Sequence, residues 1–216
     1  NETFTATVRS GGFDLNRVLT DSLGLGRVAL QAEARGQGLT PETMRATVDA
    51  NVQLFDYNSY RYNNIDLNAT IDRNLYVVEA TAADQNLAFD LNGRFNLRDT
   101  TQPAYTFNLD LRKADLQALN LYPEPLAVRG QLQGNFTGTD ASTISGRLKG
   151  DELVINYNQQ HYPIDTLLLT LEQSGATAAF NLQSDIADAQ MRFENSLATL
   201  PTALQKHFSN YFDLQP

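Results

Sequence analysis

Strict alternation of apolar and polar side chains dominates this chain. Met44, Ala46, Val48, Ala50, Val52 and Leu54 are separated by Arg45, Thr47, Asp49, Asn51 and Gln53. Leu87, Phe89, Leu91, Phe95 and Leu97 alternate with Asp90, Asn92, Arg94 and Asn96, and Tyr105, Phe107, Leu109 and Leu111 with Thr106, Asn108 and Asp110. Leu167, Leu169 and Leu171 follow the same rule. A period of two sends successive side chains to opposite faces of an extended strand, so each run predicts one apolar face and one solvated face. Strands of this kind pair antiparallel. Polar turns separate them at Asp72-Arg73-Asn74, Ala83-Asp84-Gln85-Asn86 and Gln173-Ser174-Gly175, which predicts hairpins and a meander.

The pattern repeats at a spacing of about 100 residues. Phe4-Thr5-Ala6-Thr7-Val8, followed by Asp14-Leu15-Asn16, returns as Tyr105-Thr106-Phe107-Asn108-Leu109, followed by Asp115-Leu116-Gln117. The tyrosine-rich stretch Tyr57–Tyr62 returns as Tyr157–Tyr162. Two serial units follow from this, 1–101 and 102–195, with no Ser/Gly/Pro-rich linker between them. They are expected to share one continuous curved sheet, as scaffolds built from copies of one unit do. Short helices are expected at Asp14–Thr20 and Asp115–Leu121, each with its Asp as N-cap. A third, over 200–213, would carry Leu200, Leu204, Phe208 and Phe212 on one face, making 196–216 a cap or the start of a further unit.

One break in parity stands out. Ile144, Leu148 and Gly150 lie on even positions, whereas Leu153, Ile155 and Tyr157 lie on odd ones. Either the strand ends at Gly150-Asp151 or a bulge there restores the apolar face.

Composition narrows the function classes. Of 216 residues, 42% are hydrophobic and 19% charged, the profile of a folded chain. The net charge of −9, from 16 Lys+Arg against 25 Asp+Glu, leaves no basic footprint for nucleic acid. With no Cys there is neither a disulfide framework nor a thiolate metal site. No stretch approaches the roughly 18 consecutive apolar residues of a membrane-spanning helix. The chain opens at Asn1 without initiator Met or signal peptide, and is read as a processed piece of something longer.

Catalytic constellations are not apparent. His161 and His207 lie in different elements without partners at metal-ligand spacing, and no nucleotide-binding glycine motif occurs. The matched Asp14 and Asp115 are explained by helix capping. No enzymatic activity and no cofactor are expected. The tyrosine clusters read as cross-strand packing at a turn.

Ala114-Asp115-Leu116-Gln117-Ala118-Leu119 followed by Val128-Arg129-Gly130-Gln131-Leu132, with Gly26-Arg27-Val28 after Asp14-Leu15 as counterpart, resembles the AsmA/TamB group of bacterial envelope proteins. The tyrosine-bearing stretch Asn51–Ile71 adds to the likeness, which runs along essentially the whole chain and is strongest to the repetitive β-rich region of TamB-like members. The resemblance implies a mainly β, antiparallel, one-sided sheet folded lengthwise like a taco into an open groove. It implies a periplasmic location, an inner-membrane anchor in the full-length protein, and a bridge toward the outer membrane. It further implies a role in outer-membrane biogenesis and phospholipid transport, with outer-membrane assembly proteins as partners and no catalytic residues.

The expected ligand is a phospholipid or another acyl-chain lipid. Strand parity places its candidate lining at Val48, Val52, Leu54, Leu87, Phe89, Leu91, Phe107, Leu109, Leu167 and Leu169. The alternative is a closed all-β interaction or carbohydrate-binding module, whose apolar faces form a dry core and whose loops carry Tyr57, Tyr60 and Tyr157.

Overall fold

A computed structural model of the chain describes residues 2–17, 24–140, 142–174 and 177–193. These form one antiparallel sheet of twelve strands whose spatial order is the chain order. The strands are β1 (Thr3–Asp14), β2 (Leu25–Gln37), β3 (Arg45–Tyr57), β4 (Tyr60–Asp72), β5 (Leu75–Ala83) and β6 (Leu87–Asn96). They continue with β7 (Ala104–Asp115), β8 (Leu126–Thr137), β9 (Ser145–Tyr157), β10 (Gln160–Ser174), β11 (Thr177–Ser184) and β12 (Asp188–Phe193). The sheet is open: β1 and β12 pair only inward and do not close into a barrel. The expected antiparallel β class is therefore the observed one. Among the described residues no helix is long and apolar enough to cross a membrane.

The strand spans of β1–β6 recur in β7–β12, and β3 and β9 recur at matching positions, Arg45–Tyr57 and Ser145–Tyr157. The turns recur too. Asn58-Ser59 (φ 49° and 62°) and Asn158-Gln159 (φ 47° and 66°) both take positive φ at the two central positions of a hairpin turn, the geometry that matches the right-handed twist of the flanking strands. Their first amides bond to equivalent places, Asn58 N–H to Gly24 O at 2.8 Å and Asn158 N–H to Pro125 O at 3.1 Å. Met44 and Ile144 N–H likewise bond to Thr40 O and Asp140 O. Strand β6 pairs directly with β7 from Leu87↔Ala114 to Asn96↔Ala104, so the pairing runs unbroken through the middle of the chain.

The second expected helix shrinks to a single turn; of the first, residues 18–20 lie outside the described residues. Leu15–Arg17 is a short 3-10 segment, with Asp14 Oδ1 accepting Asn16 N–H at 3.1 Å. At the second site Asp115 Oδ1 accepts Ala118 N–H at 3.0 Å. Asn120, at φ 58°, then ends the turn. Its N–H bonds to Gln117 O and that of Leu121 to Leu116 O, a Schellman closure. Capped from both sides within six residues, the segment has no room for a second turn. Both acidic caps were read correctly; at the second site the helix length was not. The 200–213 segment lies outside the described residues.

The parity break resolves as a bulge inside one strand. Strand β9 runs through Gly150-Asp151 without interruption, with Glu152 at φ 52°. Its pairing with β8 slips between Arg129 and Gln131, carrying the apolar face from Leu148 and Gly150 to Ile155. Gly130 sits in the slip at φ 140°, where an added Cβ would lie 2.7 Å from Leu153 Cα. This is the physical reason for a glycine in the segment Val128–Leu132. Gly26 does not hold the equivalent place: Val28 pairs with Phe55 as Val128 pairs with Ile155, so Leu30 stands level with Gly130.

Gly130→Val should destabilise the fold by about 2 kcal/mol, from overpacking on Leu153 plus an unfavourable φ. Gly11→Ala, with nothing within 4 Å of the new methyl, should change stability by less than about 0.5 kcal/mol. Urea unfolding of the two variants measures the difference.

Candidate functional site

Cross-strand partners share a face, so the register assembles the apolar residues into rows perpendicular to the strands. One row runs Val48–Ala69–Val78–Gly93–Phe107–Gly134–Leu148–Leu169. The next runs Ala50–Leu67–Ala80–Leu91–Leu109–Leu132–Gly150–Leu167. Beside it lie Val52, Ile65, Ala82, Phe89 and Leu111, and then Leu87 with Ala114. Nine of the ten candidate lining residues thus fall on one face. All ten are half-buried, neither sealed into a core nor bare.

Leu54 is the exception. The β3–β4 pairing skips Gln53 and Asn64, and Asn64 adopts φ 55°. The irregularity sets Leu54 beside Ala29 and Asn63. Phe55 takes the apolar side instead, with its ring 6.3 Å from that of Tyr62. Leu54 therefore belongs to the opposite face, and Phe55 replaces it in the lining. The signal was present in the sequence, because Phe55 and Tyr57 fall on the parity opposite to Val52.

The candidate lining also left out an aromatic row. Ile71, Tyr76, Phe95, Tyr105, Phe136, Gly146, Leu171 and Phe180 follow one another across the sheet. The ring of Phe107 lies nearly parallel to that of Phe136, 6.4 Å between centroids. It also covers Gly134, where a Cβ would come within 2.2 Å of it. A glycine under an aromatic ring lets the ring lie flat on the sheet and shields the backbone.

One end of the apolar face is closed by a local core. Tyr62, Ala114 and Leu119 are buried together, with Phe55, Tyr60, Ile65, Leu87, Leu111 and Leu116 packed around them. Leu119, on the capped turn after β7, is 1% exposed. The turn is held to the earlier hairpin by a reciprocal pair: Asn58 Nδ2 donates to Asn120 O at 2.5 Å and Asn120 Nδ2 to Asn58 O at 3.2 Å. Tyr60 and Tyr62 meet edge to face at 4.8 Å on β4, and Tyr62 lies 6.5 Å from Tyr57 on β3, so the first tyrosine cluster packs across the hairpin. Tyr162, which matches Tyr62, is 40% exposed.

Beneath Tyr60 lies a carboxylate that sequence reasoning took for a turn residue. Asp84 is 7% exposed. It accepts hydrogen bonds from the Tyr60 hydroxyl, from Asn63 N–H at 3.1 Å and Nδ2 at 3.2 Å, and from Asn86 N–H at 2.8 Å. Burial pushes the Asp84 pKa up, but the donors of Tyr60, Asn86 and Asn63 outweigh it and hold the group below the usual carboxylate range. Burial, and then the Asp84 hydrogen bond, push the Tyr60 hydroxyl up to about 12. With every contact satisfied by a fixed donor, Asp84 is suited to locking the Asn63 irregularity in place.

Fold and site together define an open, single-sheet antiparallel β protein with one continuous apolar face. No family model matches the chain, and no curated protein or solved structure is significantly similar to it.

Asp84→Asn should cost about 2 kcal/mol, the scale of hydrogen bonds to a buried charged acceptor. Because the native pKa of Asp84 is depressed, its contribution is complete above the unfolded value of about 4 and is lost as pH falls through the native value. Unfolding free energy measured from pH 6 downward should therefore fall less steeply in Asp84→Asn than in the parent.

Proposed function

We propose that the chain is a segment of a non-enzymatic scaffold of the bacterial envelope, whose apolar sheet face shields the acyl chains of a phospholipid or a similar lipid. One observation carries the reading: nine of the ten candidate lining residues fall in continuous rows on a single face of an open sheet, and these nine are half-buried. In a closed module the same side chains would be fully buried by a second layer. Covering such a side chain completely is worth roughly 1.5–3 kcal/mol, so rows of half-covered ones favour an apolar ligand laid along them. A lipid chain crossing several strands could exchange one row of contacts for the next, as passage along a bridge requires. The likeness to TamB-like proteins points the same way and supplies the periplasmic setting, the inner-membrane anchor of a longer protein and the outer-membrane assembly partners.

Phe89→Asp or Leu109→Asp places a charge in the middle of the rows and should reduce bound lipid at least several-fold. Native mass spectrometry of the folded variants, after incubation with a diacyl phosphatidylethanolamine, gives the readout. Unchanged lipid adducts in variants with parental circular dichroism would refute the acyl-chain assignment.

A further inference from the structure

Strand β1 is the counterpart of β7, residue for residue. Phe4, Ala6, Val8 and Ser10 lie opposite Gly36, Ala34, Ala32 and Leu30 on β2. Tyr105, Phe107, Leu109 and Leu111 lie opposite Phe136, Gly134, Leu132 and Gly130 on β8 in the same way. The slip recurs at the same place, between Gly11 and Phe13 in one strand and between Leu111 and Ala114 in the other. The two strands differ on their other side. The outer edge of β7 is taken by β6 in an antiparallel seam, whereas β1 pairs only with β2 among the described residues.

That edge lacks the guards that keep sheet edges apart, which are short length, Lys and Pro. Strand β1 runs for 12 residues. From Thr3 to Phe13 its only charge is Arg9, and it has no Pro. Val8 is 54% exposed, while the matching Leu109 is half-buried against its neighbours on both sides.

The chain also holds the strand that fits this edge. Strand β12 is the counterpart of β6: Ala189 and Met191 lie opposite Leu182 and Phe180 on β11, as Phe89 and Leu91 lie opposite Ala82 and Ala80 on β5. Among the described residues β12 pairs only with β11. We infer that β12 of one copy adds to β1 of a second copy, so that copies join head to tail through a repeat of the β6–β7 seam. The register of that seam is Phe89↔Leu111, Asp90↔Asp110, Leu91↔Leu109 and Asn92↔Asn108. Transferred to the joint, it sets Ala189 against Ser10, Gln190 against Arg9, Met191 against Val8 and Arg192 against Thr7. Met191 and Val8 then meet on the apolar side of both copies, and no two like charges stand directly opposite. Each joined sheet keeps a β1 edge at one end and a β12 edge at the other, so the assembly is heterologous and open. Pairing of β1 with β1 has no such precedent in the molecule. Backbone edges hold the joint, so it does not depend on what the apolar face binds.

The chain has no Cys, so engineered thiols report the joint without background. Directly opposed residues bring their Cα atoms within disulfide range. Unlabelled Val8→Cys is mixed with isotope-labelled Met191→Cys in a glutathione redox buffer, and the disulfide-linked dimers are resolved by intact mass. The heterodimer is expected at least tenfold above either homodimer, with or without added phosphatidylethanolamine. Arg9→Cys mixed with Gln190→Cys, both at exposed positions, should show the same excess, and carries the test if Met191→Cys loses the parental circular dichroism. Thr7→Cys mixed with Met191→Cys sets the thiols on opposite faces and should give only statistical proportions. Statistical proportions in a matched pair whose members are folded would overturn the inference. An excess of the Val8→Cys homodimer, as β1 on β1 gives, would do the same.

Discussion

Side chains alternate across a strand, so one extra residue turns everything beyond it to the other face. A sheet of twelve long strands keeps a single apolar face only if each such slip is answered by its neighbours. The structure does this in matched places. Strand β9 slips at Glu152, and β10 answers by passing from Ile164 opposite Leu153 to Thr166 opposite Asp151. Strand β4 slips at Asn64, and β3 answers at Gln53. Strand β7 slips between Leu111 and Ala114, where the neighbouring strand offers Gly130 and Val128. Each correction keeps the leucines of one region and the aromatics of the next on the same side, and the rows, the local core and the lining all follow from it.

The two halves share strand spans and turn geometry but differ in what covers their ends. In the first, the turn after β7 folds back over the preceding hairpin and buries Tyr62 beneath Leu119. That turn belongs to the second half, so the core at this end is built by residues of both. In the second half the Tyr162 hydroxyl donates to Gln160, a neighbour on its own strand, and the residue is 40% exposed.

Alternation made the antiparallel class and most of the apolar face legible from sequence, because burial on one side imposes a period that composition alone cannot mimic. The break at Gly150–Leu153 was legible for the same reason, since two flanking apolar runs of opposite parity demand an odd correction. The break at Gln53 was harder. Val52-Gln53-Leu54-Phe55 offers an apolar residue on either parity, and only the pairing with Tyr62 decides between them. Helix length was overread because Leu116 and Leu119 fit the helical spacing, whereas Asn120 and the following prolines confine them to one turn. Asp84 gave no signal. Its burial depends on the Tyr60 hydroxyl and Asn63 amide arriving from another strand, and neither arrival can be read from three polar residues in a row.

The polar side was equally opaque, for a different reason. Asn, Gln, Thr and Arg at alternate positions satisfy the demand for a solvated face wherever they fall, so their identities look arbitrary along the chain. Register makes them non-arbitrary by setting Arg94 and Arg147 in one cross-strand row and Asp66, Asp90, Asp110 and Asp151 in another. Charges lying in adjacent strands act within about a Debye length of one another, about 8 Å at physiological salt, while charges at the two ends of the sheet do not. Charge on this side is therefore sorted by cross-strand row, a pattern that the total charge of −9 conceals. Whatever the apolar side holds, the opposite side presents a second surface with its own charge pattern, fixed by the same register.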